Sequence, residues 1–358
     1  MSQHPHTTYR MPAEWEPHAG VWLAWPHNHE DWPGKFEPIV WVYGEIIRVL
    51  SQATPVRLVV RDAKEKSQAR KILKRAGVDL AQVEFFIIPT DRIWLRDSGP
   101  IFVKEATRHK ARATKHSSQT MLDWRFNAWA KYANHTLDDV VPEKINRSLK
   151  MERVQPMHKN KRVVLEGGSI DVDGAGTLIT TEECLLSKIQ CRNPGFTRED
   201  YEQVFARYLG IRQVLWLDKG IVGDDTHGHV DDITRFVAPN TIVTCVEPNR
   251  KDDNHAILKE NLKRLKAARN LQGKPFEVLE LPMPKPVVFE GQRLPASYAN
   301  FLISNGLVLV PTFNDANDRI ALNLLAEAMP KHDIIGIHAV DLVWGLGTLH
   351  CMSQQEPV

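Results

Sequence analysis

RVVLEGGSIDVDGAGTLITT, residues 162–181, carries two β-rich runs, 162–172 and 177–181. Their apolar stretches suit strands buried on both faces. Runs of the same kind recur from end to end: VWLAW (21–25), VRLVV (56–60), VEFFIIP (83–89), IFVK (101–104), QVLWL (213–217), RFVAPNTIVTCV (235–246), LISNGLVLVPTF (302–313) and DIIGIHAV (333–340). Helical patterns sit between them at 38–51, 62–76, 198–209, 253–270 and 315–328, the last with Asp315 and Asn317 as candidate caps. Strands and helices that alternate throughout place the chain in the α/β class. No linker rich in Gly, Ser or Pro divides it, so one domain is expected.

The composition agrees with a soluble globular chain. Of 358 residues, 42% are hydrophobic and 25% charged, which excludes a mainly disordered protein. The net charge of +2 does not suggest a nucleic-acid binder. No apolar run approaches the ~18 residues of a membrane span. The polar start MSQHPHTTYR lacks a signal-peptide core, and a cytoplasmic location is expected. Four cysteines, Cys184, Cys191, Cys245 and Cys351, form no Cys-x-x-Cys pair and no disulfide framework. Cys184 and Cys245 read as core thiols, and Cys191 has no evident partner. The segment 104–117 holds five Lys/Arg against one Glu and reads as a basic surface insertion.

Chemistry-bearing residues cluster where apolar runs end in glycine or a turn, which is where α/β folds bind ligands. IIPTDRIWLRDSGP places Asp91, Arg96 and Asp97 after the run at 83–89. VVLEGGSI sets Glu166 before Gly167 and Gly168. GDDTHGHVDD packs Asp224, Asp225, His227, His229, Asp231 and Asp232 into ten residues. Such a run calls for a metal or a cationic substrate to organise it. His227 and His229, two apart, would share one face of a strand, as a metal site asks, but no HExxH or paired-Cys motif accompanies them. GLGTLHC ends on His350 and Cys351, a thiol after a glycine-rich turn and so a candidate nucleophile.

Taken together, these segments resemble the agmatine deiminase and bacterial peptidylarginine deiminase family of guanidine-modifying enzymes. The resemblance runs through RMPAEWEPHAGVWLAWP (10–26), WLRDSGPIFV (94–103), WRFNAWAKY (124–132), LEGGSIDVDGAGTLITTEECLL (165–186), DDTHGHVDD (224–232) and LHCMSQQEP (349–357). It implies a pseudo-fivefold α/β propeller of ββαβ units (pentein-like) around a central site. It further implies Cys351 as nucleophile, His229 as general acid and base, and Glu166 as the group that orients and charges the histidine. Asp97 and Asp231 would grip the guanidinium, Asp225 would be a further acidic position, and Trp94 would line the pocket.

No metal and no organic cofactor is implied, and the acid-rich run then serves as a cation trap. The expected partner is a small guanidinium substrate, agmatine first. Peptidyl C-terminal arginine is the alternative, and a cation binder or a metal hydrolase are the readings from other classes. A homodimer is expected on base rate alone. Two segments depart from the family pattern. His227 stands where the family reads the third Asp of DDTDGH. Leu346 and Thr348 stand where the Cys loop reads Gly and Asn. Both departures bear on the substrate rather than on the nucleophile and base.

Overall fold

The computed structural model describes residues 9–105 and 119–358. Five of its sheets have three or four strands and share one local plan. A hairpin is followed by a helical crossover and then by a strand parallel to the hairpin's second member. Three sheets show the plan alone: Asp171–Val172, Thr177–Thr181 and Gln213–Leu217; Thr234–Ala238, Thr241–Val246 and Glu277–Pro282; Leu302–Ser304, Leu307–Thr312 and Asp333–His338. A fourth pairs Ile101–Glu105 with Gln119–Leu122 and adds Glu152–Val154 in parallel, with Tyr9–Arg10 along its edge. In the fifth, the hairpin partners come from the two ends of the described chain. Ser353–Pro357 runs antiparallel to His18–Ala24, which continues in parallel to Val56–Val60 and Val83–Ile87. That closing strand begins two residues after Cys351.

Local sequence explains these elements. Asn305 and Gly306 (φ 74°) turn the hairpin at 302–312, and Asn240 (φ 73°) turns the one at 234–246. The helix Arg198–Leu209 opens on a Thr197/Asp200 capping box and stops at Gly210 in the left-handed region. The helix Phe36–Leu50 buries Ile39, Tyr43, Ile46, Ile47 and Leu50, a stripe at helical spacing, and packs against the helix Ala63–Arg75 and the strands Leu307–Thr312 and Asp333–His338. The helix Asn317–Ala328 starts one residue after Ala316, whose side chain cannot cap. The Asp315 carboxylate still accepts the Asn317 N–H at 2.8 Å, while the Asn317 amide turns away to the Met283 carbonyl. Of the two expected caps, only Asp315 serves the helix end.

The run 162–172 is not one strand. Only Lys161–Arg162 and Asp171–Val172 pair in ladders, and Gly167–Ser169 form a 3-10 turn led by Glu166. The physical reason is close packing. A Cβ on Gly167 would sit 2.4 Å from the Arg96 carbonyl oxygen, so the chain bends there to let two backbones touch. Apart from Lys104 and Glu105, which end a strand, the basic segment 104–117 lies outside the described residues. Among the described residues no helix is long and apolar enough to cross a membrane.

Candidate active site

Four separate turns converge on one point. The helical turn Leu95–Ser98 carries Asp97 and follows directly on Trp94. The 3-10 turn after Glu166 carries Gly168. The loop 223–232 delivers His229 and Asp231, and the closing segment delivers Cys351. Gly168 marks the centre. A Cβ there would lie 2.6 Å from His229 Nδ1, 2.9 Å from Asp97 Oδ1 and 3.1 Å from Asp231 Oδ2. Its N–H donates to Asp97 Oδ1 at 3.0 Å. His229 Nδ1 is 3.8 Å from Asp97 Oδ2, and Nε2 is 3.8 Å from Glu166 Oε2. Cys351 Sγ is 3.7 Å from Asp231 Oδ2. Glu166, His229 and Asp231 are fully buried, while Trp94, Asp97 and Cys351 line a cavity of about 520 Å³ above them.

Buried charges set the electrostatics. Burial alone would raise the Glu166 carboxyl, but Arg192, bonded to Oε1 at 3.0 Å, and His229 bring it down to about 2. Burial and neighbouring carboxylates push Asp97 up to about 6, despite the His229 ring beside it. Burial disfavours a charged His229, yet the Asp97 carboxylate, Cys184 and Glu166 outweigh it and hold the ring well above the usual range. These neighbours favour the charged form of the ring, although neither ring nitrogen has a hydrogen-bond partner. The Cys351 thiol is pushed well up by burial and by Asp231, Asp232 and Asp97. A cation placed among these carboxylates would reverse that push.

Trp129, Glu14 and Arg235, which the motifs did not assign to the site, hold its residues from behind, together with His350. The Trp129 indole N–H donates to Asp97 Oδ2 at 2.9 Å and fixes the carboxylate plane. His350 faces Asp231 Oδ2 at 2.7 Å through Nδ1 and Glu14 Oε2 at 2.9 Å through Nε2. Both ring nitrogens thus face carboxylate oxygens. Arg235 continues the chain of charges by binding Glu14 and, at 2.6 Å, Asp171. Glu14 belongs to MPAEWEPH and Trp129 to WRFNAWAKY, so the signal was a polar or aromatic residue within a quoted motif. Nothing local shows that they meet the site.

Asp225 lines the same cavity, but Lys131 holds its carboxylate and the Tyr132 hydroxyl donates to it at 2.7 Å. The loop 223–232 is not a strand. His227 (φ 66°) and Gly228 (φ 97°) turn it, so the two histidines diverge. His227 Nε2 pairs with Ser187 Oγ at 3.0 Å, away from His229 and outside the cavity lining. The paired-histidine metal geometry is thus not formed. Among the described residues, two donor sets lie within 4.8 Å, Glu166–Cys184–His229 and Asp231–Asp232–Cys351. Cys184 is buried as expected, though beside Glu166 and His229 rather than against apolar core alone. Cys245 is buried, with its sulfur 3.3 Å from Ser297 Oγ, and Cys191 is half-buried.

The model of the Porphyromonas-type peptidyl-arginine deiminase family matches residues 10–357. The chain belongs to this family. Within it, a putative agmatine deiminase of Legionella pneumophila is 34% identical over 352 residues, covering 98% of this chain and 95% of the relative. The solved agmatine deiminase of Enterococcus faecalis superposes with a TM-score of 0.87 at 30% identity, covering 100% of this chain and 99% of that one. A C. jejuni agmatine deiminase with substrate bound gives 0.85 at 31% identity, covering 99% and 98%. In this family member the two Cys-loop departures have visible consequences. Leu346 takes a left-handed φ of 66° and lines the cavity, and the Thr348 hydroxyl donates to Asn300 Oδ1 at 2.7 Å.

Proposed function

We propose that the chain is a guanidine deiminase that converts agmatine and water to N-carbamoylputrescine and ammonia. The observation that carries this reading is the cavity itself. A thiol sits at its floor with Asp97 and Asp231 beside it, and a buried histidine lies behind them. A guanidinium is planar and cationic and stays protonated in proteins. Two carboxylates bind its N–H groups by charge-assisted hydrogen bonds and fix its plane. The grip holds its carbon against Cys351 Sγ, which is a proximity effect.

The steps follow from the charges. Binding the cation among Asp97, Asp231 and Asp232 reverses their effect on Cys351, and the thiol proton leaves to solvent. The thiolate attacks the guanidinium carbon. His229 gives its proton to the departing nitrogen, ammonia leaves, and a cationic amidino-cysteine remains under the same carboxylates. Neutral His229 then takes a proton from water, hydroxide attacks, and collapse forms the ureido carbonyl and breaks the C–S bond, the hydroxyl proton passing to the departing sulfur. Glu166, held ionised by Arg192, stabilises the charged form of His229. Trp94 stacks against the substrate.

A second reading, deimination of C-terminal peptidyl arginine, has its own support. Asp225 is already paired with Lys131, and Arg92 also lines the cavity. Arg92 is bonded to Asp31 and Lys131 to Asp225, so a substrate carboxylate would compete with these two aspartates for the cations. The test is incubation with agmatine, free arginine and an Arg-terminated peptide after exhaustive chelation, with ammonia and ureido product measured. Turnover on agmatine supports the first reading. Turnover on the peptide alone replaces it with the second. Activity that needs returned metal contradicts both.

We further infer that the chain forms one domain, with its five sheets arranged as ββαβ blades around an axis through the site. The pairing of Ser353–Pro357 with His18–Ala24 supports it, because that pairing joins the ends of the described chain. The unpaired cysteines fit a reducing, cytoplasmic setting.

A further inference from the structure

The thiolate that the mechanism needs has a poor surrounding before substrate arrives. Burial and three carboxylates oppose it. The guanidinium relieves this on the cavity side. On the opposite side the sulfur meets Asn300, a residue that the motifs did not single out. Asn300 is almost wholly buried, and its Nδ2 lies 2.9 Å from Cys351 Sγ and 2.9 Å from Asp232 Oδ1.

The orientation of this amide is fixed. Its oxygen faces the Thr348 hydroxyl at 2.7 Å, the His350 N–H at 3.0 Å and the Cys351 N–H at 3.4 Å. Backbone N–H groups only donate, so the atom facing them is the oxygen, and the two N–H groups of the amide face Asp232 and the sulfur. The same side chain thus ties down the Cys351 backbone and presents a donor to its sulfur.

We propose that Asn300 is a further catalytic residue, whose amide N–H stabilises the Cys351 thiolate, with Thr348 as the positioning residue that holds the amide in register. The departure from the family pattern at Thr348 is then functional. Its hydroxyl joins the two backbone N–H groups in holding the amide oxygen away from the nucleophile. Asn300 also stabilises the charge that develops on the same sulfur as the C–S bond breaks in the second half of the reaction. This role rests on the deiminase reading for what the thiolate attacks, but the presence of the donor does not.

The test therefore reads the thiol rather than turnover. Iodoacetamide alkylation of Cys351 is followed at fixed pH by peptide mass, with the Cys351→Ala protein as the blank for the other cysteines. A hydrogen bond to a charged group predicts that Asn300→Ala slows alkylation by roughly ten- to a hundredfold. Thr348→Val, nearly isosteric, slows it by about threefold or more, because the amide oxygen loses the shortest of its three anchors while its donor remains. Thr348→Ser, which keeps the hydroxyl, restores the wild-type rate. Folding is checked by circular dichroism. If Asn300→Ala does not fold, the Thr348 pair decides. Equal rates for Thr348→Val and Thr348→Ser overturn the proposal, as does folded Asn300→Ala that alkylates as fast as wild type or faster. Slowed alkylation alongside silence on agmatine leaves Asn300 in place and removes the agmatine reading instead.

Discussion

Gly168→Ala is the smallest change that disturbs the whole site at once. Gly168 does not occupy the left-handed region, so alanine adds no backbone strain there. The effect is purely one of space. The new methyl would sit 2.6 Å from His229 Nδ1 and 2.9 Å from Asp97 Oδ1. Ordinary contact needs close to an ångström more, and these groups are buried and held by neighbours, so the ring and the carboxylate must shift together. A displacement of about 1 Å at reacting groups costs roughly 10²-fold in rate. Overpacking of this size costs about 1–3 kcal/mol of stability, a modest loss for a chain of this length. The assay is kcat and KM on agmatine by ammonia release, beside a thermal melt. The expected result is a folded protein with kcat down about 10²-fold and KM raised, because Asp97 and Asp231 both border the methyl. A folded variant within threefold of wild-type kcat would refute the packing argument and the site built on it.

Three other outcomes follow from the geometry. Ala128, Trp129 and Ala130 all adopt left-handed φ values (48°, 58° and 53°), so Ala130→Gly should stabilise the protein by about 1 kcal/mol; a lower melting temperature would contradict this. Asp97 ionises only near pH 6 in the free protein, so kcat/KM should fall as pH drops through about 6, when the carboxyl takes up its proton and loses the guanidinium; a flat kcat/KM from pH 5 to 8 speaks against Asp97 as a grip. Lys131 competes with a substrate ammonium for Asp225, so Lys131→Met should lower the KM for agmatine and raise it for an Arg-terminated peptide; the opposite pattern would show that Asp225 does not receive the ammonium.

The sequence was most informative where a single element's period determined the outcome. VRLVV, TLITT and QVLWL are strands over the very residues read as such, since apolar β-branched runs need only a sheet to enter. Helix 198–209 likewise carries its own start and stop signals. The run at 162–172 misled because its residues have strand composition, while Gly167 and Gly168 are there for close approach to Arg96 and His229. The same holds for His227 and His229, whose spacing suits a strand that the left-handed turn at 227–228 does not allow.

Within the site, Asp97, Glu166, His229, Asp231, Cys351 and Trp94 were all named from motifs, and the fold gathers them. The residues that adjust them were not legible. Asn300 lies 51 positions from Cys351, Trp129 lies 32 from Asp97, and Glu14 lies 336 from His350. No local pattern encodes such pairings. Lys131 illustrates the cost of missing them, because its bond to Asp225 changes what the cavity offers to the far end of a substrate.

The proposed chemistry requires Cys351 as the covalent nucleophile. The direct measurement is ammonia release from agmatine by Cys351→Ala, with near-UV circular dichroism to show an intact fold. The expected result is a loss of at least about 10³-fold in kcat, since removing a nucleophile leaves only binding and charge stabilisation. Release within tenfold of the wild-type rate from a folded Cys351→Ala protein would contradict it.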